Sequence, residues 1–423
     1  MGRWNRGVPK VLKYYRRSGP DGLIVPRGLM RQLILLCRQQ GEPYDIDDRR
    51  RTVDELDFTF TGTLRPFQQQ ATAVMLARDF GTLSAPTGSG KTIMALYMIA
   101  QRRQPTLVVV HTRDLAMQWM ARIETFLSIP GEQVGLIGGG KRRVGTAITV
   151  ALVQSLYKSA KELSSHFGHV VVDECHRAPS RTFTEAVTAF DSRYMLGLSA
   201  TPWRRDRLSK LIFWHLGDVH HEVPSSELVA SGQILDIEVV FRTTEFVPYA
   251  DPVNEYSRML SELTHNDTRN RLIAADIAGE IQQRRPGVIL VLSDRKQHCQ
   301  VLQALLKYKY HLDADLLTGD LSMEQRTEVI GRLNAGDMRI LIATGQLIGE
   351  GFDSPALSTL FLATPVRFSG RVLQYLGRVL RPSQGIERAK VYDYVDEQVP
   401  ALKNAAQARQ RVYEGVREGT SVG

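Results

Sequence analysis

The chain has 423 residues, 43% hydrophobic and 23% charged, the composition of an ordinary globular protein with about two to three domains. Cys37, Cys175 and Cys299 are far apart and have no histidine at metal-ligand spacing. This argues against a disulfide framework or a zinc site and fits a reducing compartment. The N-terminus lacks an apolar core and no apolar run approaches about 18 residues, so neither a signal peptide nor a membrane span is expected, and the expected location is cytoplasmic.

Residues 1–40 hold nine basic side chains (Arg3, Arg6, Lys10, Lys13, Arg16, Arg17, Arg27, Arg31 and Arg38) against Asp21 alone, nearly all of the net charge of +9. With Trp4, Tyr14 and Tyr15 nearby, the cluster reads either as a phosphate-backbone contact surface or as a solvated face. Residues 11–15 and 22–26 are strand-like. Residues 28–40 read as a helix closed near Gly41, and 45–51 as a charged connector. So short a lead-in is expected to pack on its neighbour rather than fold alone.

From residue 63 the pattern alternates between strands and helices. Short apolar, largely β-branched runs at 106–111, 148–152, 169–172 and 194–198 predict buried parallel strands. After a less regular stretch at about 205–285, a second series follows at 288–292, 314–317, 339–343, 359–363 and 390–394. Between the two series, 234–241 is strand-like and 256–263 and 269–283 are helical. Ser322 with Gln325 predicts a capping box, and Gly336 closes that helix. The expected layout is a basic unit at 1–60, a first α/β domain at 61–222, a linker with a short helical insert at 223–285, a second α/β domain at 286–399, and a closing helix and tail at 400–423.

The stretch Ser84-Ala85-Pro86-Thr87-Gly88-Ser89-Gly90-Lys91-Thr92 lies between a short strand and a helix with apolar positions at Ile93, Met94, Leu96, Met98 and Ile99. A glycine-rich turn there aims backbone N–H groups and a helix dipole at one point, which suits polyphosphate. Pro86, Thr87, Gly88, Ser89 and Gly90 would line the phosphates, Lys91 would reach the β- and γ-phosphates, and the Thr92 hydroxyl would ligate Mg²⁺. The usual first glycine is Ala85, so a fortuitous Gly-Ser-Gly turn remains the other reading. Downstream, Val170-Val171-Val172 ends in Asp173-Glu174-Cys175-His176. If the strand pleat carries through, the two carboxylates point to opposite sides, Asp173 toward a metal and Glu174 toward an attacking water. The bland reading is an acidic turn.

Asp-Glu-Cys-His, Ala-Pro-Thr-Gly-Ser-Gly-Lys-Thr upstream and Ser199-Ala200-Thr201-Pro202 downstream resemble a superfamily 2 DExH-box helicase or translocase, with most similarity to the XPB, UvsW and RadD-like group. The resemblance spans roughly residues 63–395 with the motifs in order. It implies an α/β fold of two tandem RecA-like parallel-sheet domains with a small N-terminal α+β unit, and it implies ATP and Mg²⁺ as cofactors. It also implies roles. Arg65 and Gln68, in Leu64-Arg65-Pro66-Phe67-Gln68, would read adenine. Thr112, Arg113, Gln154 and Ser155 would touch a nucleic-acid backbone, as would Thr318, Gly319 and Thr344. Ser199 and Thr201 would couple hydrolysis to movement, and Gly351 and Asp353 would sense nucleotide. Gln374, Arg378 and Arg381 look like the arginine-finger motif; at three residues apart, the two arginines would share a helix face.

Two departures stand out. Where XPB-like proteins have Arg-Glu-Asp, this chain has Arg204-Arg205-Asp206, and a large inserted thumb is absent or reduced at 243–285. Trp203 reads as a base-stacking residue or, at least as readily, as a core or interface tryptophan. The expected activity is an ATP-dependent DNA helicase or duplex translocase in repair, recombination or defence. The alternatives are an RNA helicase and a nucleotide-gated nucleic-acid clamp with little hydrolysis. DNA is the favoured partner, and protein partners in a repair or defence complex are left open.

Overall fold

The computed structural model describes residues 15–177, 181–200, 209–349, 356–366, 369–379, 381–382, 385–386 and 388–418. The chain divides into two compact units between Val223 and Pro224.

The N-terminal unit opens with the antiparallel pair β1 (Arg16–Ser18) and β2 (Gly22–Ile24) and with helix α1 (Met30–Gln40), which Gly41 closes at φ 70°. Residues 11–14 of the expected first strand lie outside the described residues. The elements that follow are α2 (Pro66–Leu76), β3 (Phe80–Ser84), α3 (Lys91–Arg102), β4 (Thr106–Val110), α4 (Arg113–Leu127), β5 (Gly135–Gly138), β6 (Lys141–Arg143) and β7 (Ile148–Leu152). Then come α5 (Val153–Leu156), α6 (Ala160–Leu163), β8 (His169–Val172), α7 (Arg181–Thr188), β9 (Tyr194–Ser199), α8 (Ser209–Leu216) and β10 (Val219–Glu222). They build one sheet in the order β10-β3-β9-β8-β4-β7-β5-β6, parallel throughout except for β6.

Both faces of this sheet are covered, as continuous apolar strands require. Alternate residues Leu107, Val109, Val170 and Val172 pack with Phe183, Phe190, Ile212 and Leu216, while the intervening Val108, Val110 and Val171 are also buried. Strands β5, β6 and β10 were not expected. Val219-His220-His221-Glu222, for example, has no apolar run. These strands lie at or next to the sheet margins, where a neighbouring strand supplies the ladder.

The lead-in packs on this unit as expected. Arg27 donates to the carbonyls of Ser192 and Phe190, both at 2.8 Å. Gly28 lies so close to α8 that a Cβ there would sit 1.9 Å from the Phe213 carbonyl oxygen. Arg51 forms a two-pronged pair with Asp191, at 2.9 Å on each arm.

The C-terminal unit holds α9 (Ser225–Ala230), β11 (Asp236–Thr244), α10 (Tyr256–His265), α11 (Asp267–Gln282), β12 (Val288–Ser293), α12 (Lys296–Tyr310), β13 (Asp315–Leu317) and α13 (Met323–Ala335). It continues with β14 (Ile340–Thr344), α14 (Gly345–Gly349), β15 (Leu357–Leu362), α15 (Ser369–Val379), β16 (Arg388–Asp396) and α16 (Pro400–Glu418). Its six strands are all parallel, in the order β11-β16-β15-β12-β14-β13. The capping box forms: Ser322 Oγ accepts from Gln325 N and Gln325 Oε1 accepts from Ser322 N. Gly336 closes that helix at φ 77°.

The stretch read as a linker contributes an outer strand of this sheet, β11, paired with β16 along its whole length. Helix α11 is tied to the same sheet by a buried ion pair, Arg269 Nε to Asp396 Oδ1 at 2.9 Å, with Arg269 Nη1 also donating to the Ala363 carbonyl at 2.6 Å. Arg409 on α16 clasps Asp393 on β16, and Tyr413 donates to the same carboxylate at 2.6 Å. A buried charge is tolerated when its partners are this complete. Among the described residues no helix is long and apolar enough to cross a membrane.

Candidate nucleotide site and nucleic-acid edge

The phosphate-type loop joins β3 to α3, and Ala85 N donates to the Ser199 carbonyl at the end of β9. Gly88 and Gly90 adopt φ of 92° and 79°, a region glycine enters without the steric cost other residues meet. Gly90 is the N-cap of α3 and offers no side-chain acceptor, so the first helical turn keeps its N–H groups for an anion. Ser89 Oγ is fully buried and has no partner among the described residues. Lys91 Nζ folds onto the Ala85 carbonyl at 3.1 Å. An orphaned hydroxyl, an uncapped helix start and a lysine on the same loop fit a polyphosphate. Thr92 follows in the first turn of α3, partly buried.

Gln68 braces this loop. Its Nε2 donates to the Ser89 carbonyl at 2.8 Å and its Oε1 accepts from Arg65 N at 3.0 Å. Both ends of the amide are therefore engaged within the protein, and Arg65 is exposed beside it. A Cβ at position 90 would lie 2.6 Å from Gln68 Nε2, so glycine is also needed there for space.

Asp173 and Glu174 lie just past the end of β8, in a turn, and Glu174 has φ 48°. The turn, rather than an extended pleat, separates the two carboxylates, which corrects the geometric reason expected for their divergence. Asp173 is buried: Oδ2 accepts from Trp119 Nε1 at 2.8 Å and Oδ1 from Glu174 N at 2.9 Å. Burial, reinforced by the charge of Glu174, pushes the Asp173 carboxyl up, while the Trp119 bond and Lys91 oppose that shift. Glu174 Oε2 lies 3.2 Å from His176 Nδ1, and the same nitrogen lies 3.2 Å from Ser199 Oγ. His176 thus links the acidic motif to the end of β9.

Trp119 and His176 were not assigned roles from the sequence. Trp119 sits on the buried face of α4, where its spacing is that of a core residue; only the fold brings it to Asp173.

On the neighbouring strand exits, Thr112 caps α4 by accepting from Leu115 N at 3.3 Å, and Arg113, the first residue of that helix, is exposed. Gln154 Nε2 donates to the His111 carbonyl at 3.3 Å, so the exits of β4 and β7 are joined; Ser155 follows on α5. In the C-terminal unit, Thr318 and Gly319 leave β13, and Thr344 ends β14 in register with Ser293 of β12, all on the edge formed by the strands' C-terminal ends. Lys296 and Asp320 pair across that edge. Gln374 and Arg378 fall within α15, but their side chains lie outside the described residues. Arg381 is partly buried and follows the helix, which runs to Val379. Thr201, Gly351 and Asp353 lie outside the described residues, as do Trp203 and the segment Arg204-Arg205-Asp206.

Residues 61–204 match the family described as Type III restriction enzyme, res subunit, and residues 268–383 match the Helicase conserved C-terminal domain. The DNA 3'-5' translocase XPB2 of Sulfurisphaera tokodaii is 26% identical over 80% of this chain and 83% of its own length. The ATP-dependent DNA helicase uvsW of Enterobacteria phage T4 is 24% identical over 97% of this chain and 86% of its own. The chain is a superfamily 2 helicase. A protein of Acanthamoeba polyphaga mimivirus, provisionally described as an ATP-dependent RNA helicase, is 28% identical over 85% of this chain and 69% of its own. The helicase also shares its fold with Saccharomyces cerevisiae Dbp5 bound to RNA and ADP BeF3, at a TM-score of 0.57 and 16% identity, covering 83% of this chain and 88% of that one. Its two parallel sheets are therefore RecA-like, and the helicase is an ATP-hydrolysing enzyme that binds nucleic acid, related to XPB and UvsW.

Proposed function

We propose that this helicase uses ATP hydrolysis to move along or remodel DNA, in repair, recombination or defence. The observation that carries the reading is the line of contacts from Asp173 and Glu174 through His176 to Ser199, on the sheet edge that also holds the phosphate loop. Such a line lets the state of the nucleotide bear on the end of β9, and Ser199 and Thr201 are read as the coupling residues.

Gly88, Ser89, Gly90 and the α3 N-terminus would cradle the phosphates with Pro86 and Thr87, and Lys91 would leave the Ala85 carbonyl to meet the β- and γ-phosphates. Arg65 and Gln68 would form the adenine side of the site. Mg²⁺, when bound, neutralises phosphate charge. Thr92 and Asp173 would hold it, and a carboxylate raised by burial and by the adjacent Glu174 charge is a donor that a hard dication suits. Glu174, steadied by His176, would orient the attacking water and take its proton. Gly351 and Asp353 are read as nucleotide sensors. Gln374, Arg378 and Arg381 are read as acting on the γ-phosphate in the transition state, where such arginines contribute of order 10³–10⁵ in rate. Thr112, Arg113, Gln154, Ser155, Thr318, Gly319 and Thr344 would grip the nucleic-acid backbone.

DNA is favoured because the XPB2 and uvsW relatives are named as acting on it; RNA is the second reading, favoured by the name of the mimivirus relative. The test is ATPase activity with single-stranded DNA, duplex DNA, branched DNA and RNA in parallel. Stimulation by DNA is expected; stimulation by RNA alone would replace the first reading with the second. A cytoplasmic location and the boundaries 1–60, 61–222, 223–285, 286–399 and 400–423 belong to the same proposal.

A further inference from the structure

Where the lead-in packs on the N-terminal unit, a groove of about 1030 Å³ opens between β1–β2 and the α5–α7 segment. One wall carries Tyr15 and Arg16, the other Tyr157, Lys158 and Lys161. The tyrosines are exposed, Tyr15 at 49% and Tyr157 at 39%, although each sits in a wall of the groove. Two carboxylates also line it. Glu162 is paired with Arg142 from β6, so its charge is already met, and Glu185 is exposed on α7. The lining is net positive. Arg27, which also lines the groove, is spent on the Ser192 and Phe190 carbonyls and ties the lead-in to the N-terminal unit.

We infer that this groove binds a single-stranded segment of nucleic acid, continuing the path that begins at Thr112, Arg113, Gln154 and Ser155. The inference rests on the reading of this chain as a nucleic-acid motor and extends it to a second site. Tyr157 and Lys158 directly follow α5, the short helix that carries Gln154 and Ser155. Lysine and arginine offer charge to successive phosphates, and two exposed phenol rings offer stacking faces to bases. A duplex hides those base faces, so the aromatic pair selects an unpaired strand. Docking of the lead-in builds the groove, because Tyr15 and Arg16 form the wall facing α5–α7.

The test is fluorescence anisotropy of a labelled oligothymidylate with the full chain, over a series of salt concentrations. Lys158→Glu with Lys161→Glu should weaken binding about tenfold or more, and it should flatten the slope of log affinity against log salt by about 0.7 for each phosphate no longer neutralised. Tyr157→Ala should weaken binding about tenfold, from the loss of one stacked base, while Tyr157→Phe should bind as the unaltered chain does. All of these side chains are solvent-facing, and the Phe variant keeps the ring, so loss of fold and loss of stacking separate. Affinity and slope unchanged in both the double variant and Tyr157→Ala would overturn the groove, and a groove made for a protein segment gives that result. ATPase of the unaltered chain, with and without DNA, reads the motor assignment separately. Stimulation with unaltered variant binding sinks only the groove, whereas no stimulation by any nucleic acid sinks both.

Discussion

Trp119 Nε1 donates to Asp173 Oδ2 at 2.8 Å inside the N-terminal unit, joining a helix to an acidic motif 54 residues further along the chain. The indole N–H is a donor with no acceptor capacity, and it fixes one oxygen of the carboxylate that is read as the metal ligand. Trp119→Phe keeps an aromatic ring at the position and removes the bond. It should lower the turnover of ATP about tenfold with a smaller change in KM, and leave a buried acceptor unpaired at a stability cost of about 1–3 kcal/mol. Steady-state ATPase and urea unfolding of the same preparation measure the two effects. Equal turnover would mean that Trp119 is only packing.

Lys91→Ala and Glu174→Gln should each abolish nucleic-acid-stimulated ATPase while the far-ultraviolet circular dichroism stays that of the unaltered chain. Lys91 Nζ bonds the Ala85 carbonyl of its own loop, so its loss should not unfold the sheet. Near-normal turnover in either variant would remove that residue from the assigned chemistry.

His176 touches both Glu174 and Ser199 through one ring nitrogen. His176→Ala should lower the stimulation of ATPase by DNA more than it lowers the unstimulated rate, because it severs the acidic motif from the end of β9. Rates with saturating and with no DNA give the ratio. A ratio equal to that of the unaltered chain would deny His176 a coupling role.

Arg378→Ala and Arg381→Ala are expected to reduce turnover far more than nucleotide affinity, as befits groups that act on charge appearing in the transition state. Turnover and the binding of a fluorescent ATP analogue, measured side by side, separate the two quantities. Weakened binding at unchanged turnover would make either arginine a ground-state contact instead.

His298 should make the C-terminal unit acid-sensitive. It is buried between Ser293 Oγ and Asn270 Oδ1, each at 2.9 Å, and burial, followed by Arg269 and His265, lowers its pKa from 6.5 to about 3. The unfolded chain therefore takes up a proton that the folded chain refuses. The stability due to His298 is full above about pH 6.5 and is lost as pH falls from there toward 3, at up to about 1.4 kcal/mol per pH unit. Urea unfolding at a series of pH values should show this slope, and His298→Gln should flatten it. His169, buried and likewise lowered to about 3, adds the same dependence to the N-terminal unit.

What was legible in the sequence was local. A phosphate loop is contiguous, since its glycines, lysine and threonine lie on one turn and one helix start. A strand buried on both faces needs an unbroken apolar run, so β4, β7, β8, β9, β12 and β14 announced themselves. The motif Ser322 to Gln325 caps a helix by bonds that span three residues. The marginal strands β6 and β10 gave no such signal, because their ladder partners, rather than their own side chains, hold them in the sheet.

The sequence by itself determined the two series of parallel strands, the loop chemistry and the acidic motif, because each depends on residues that are neighbours in the chain. Tertiary structure alone decided which of those pieces meet. The order β10-β3-β9-β8-β4-β7 is not the order of the chain, and the pairing of distant strands is what carries Ser199 to His176 and Ala85 to the end of β9. The same long-range packing sets Trp119 against Asp173, turns Gln68 into a brace for the loop, and makes β11 a strand of the second sheet rather than part of a linker. Each of these depends on backbone pairing and burial between residues tens of positions apart, which no local spacing records.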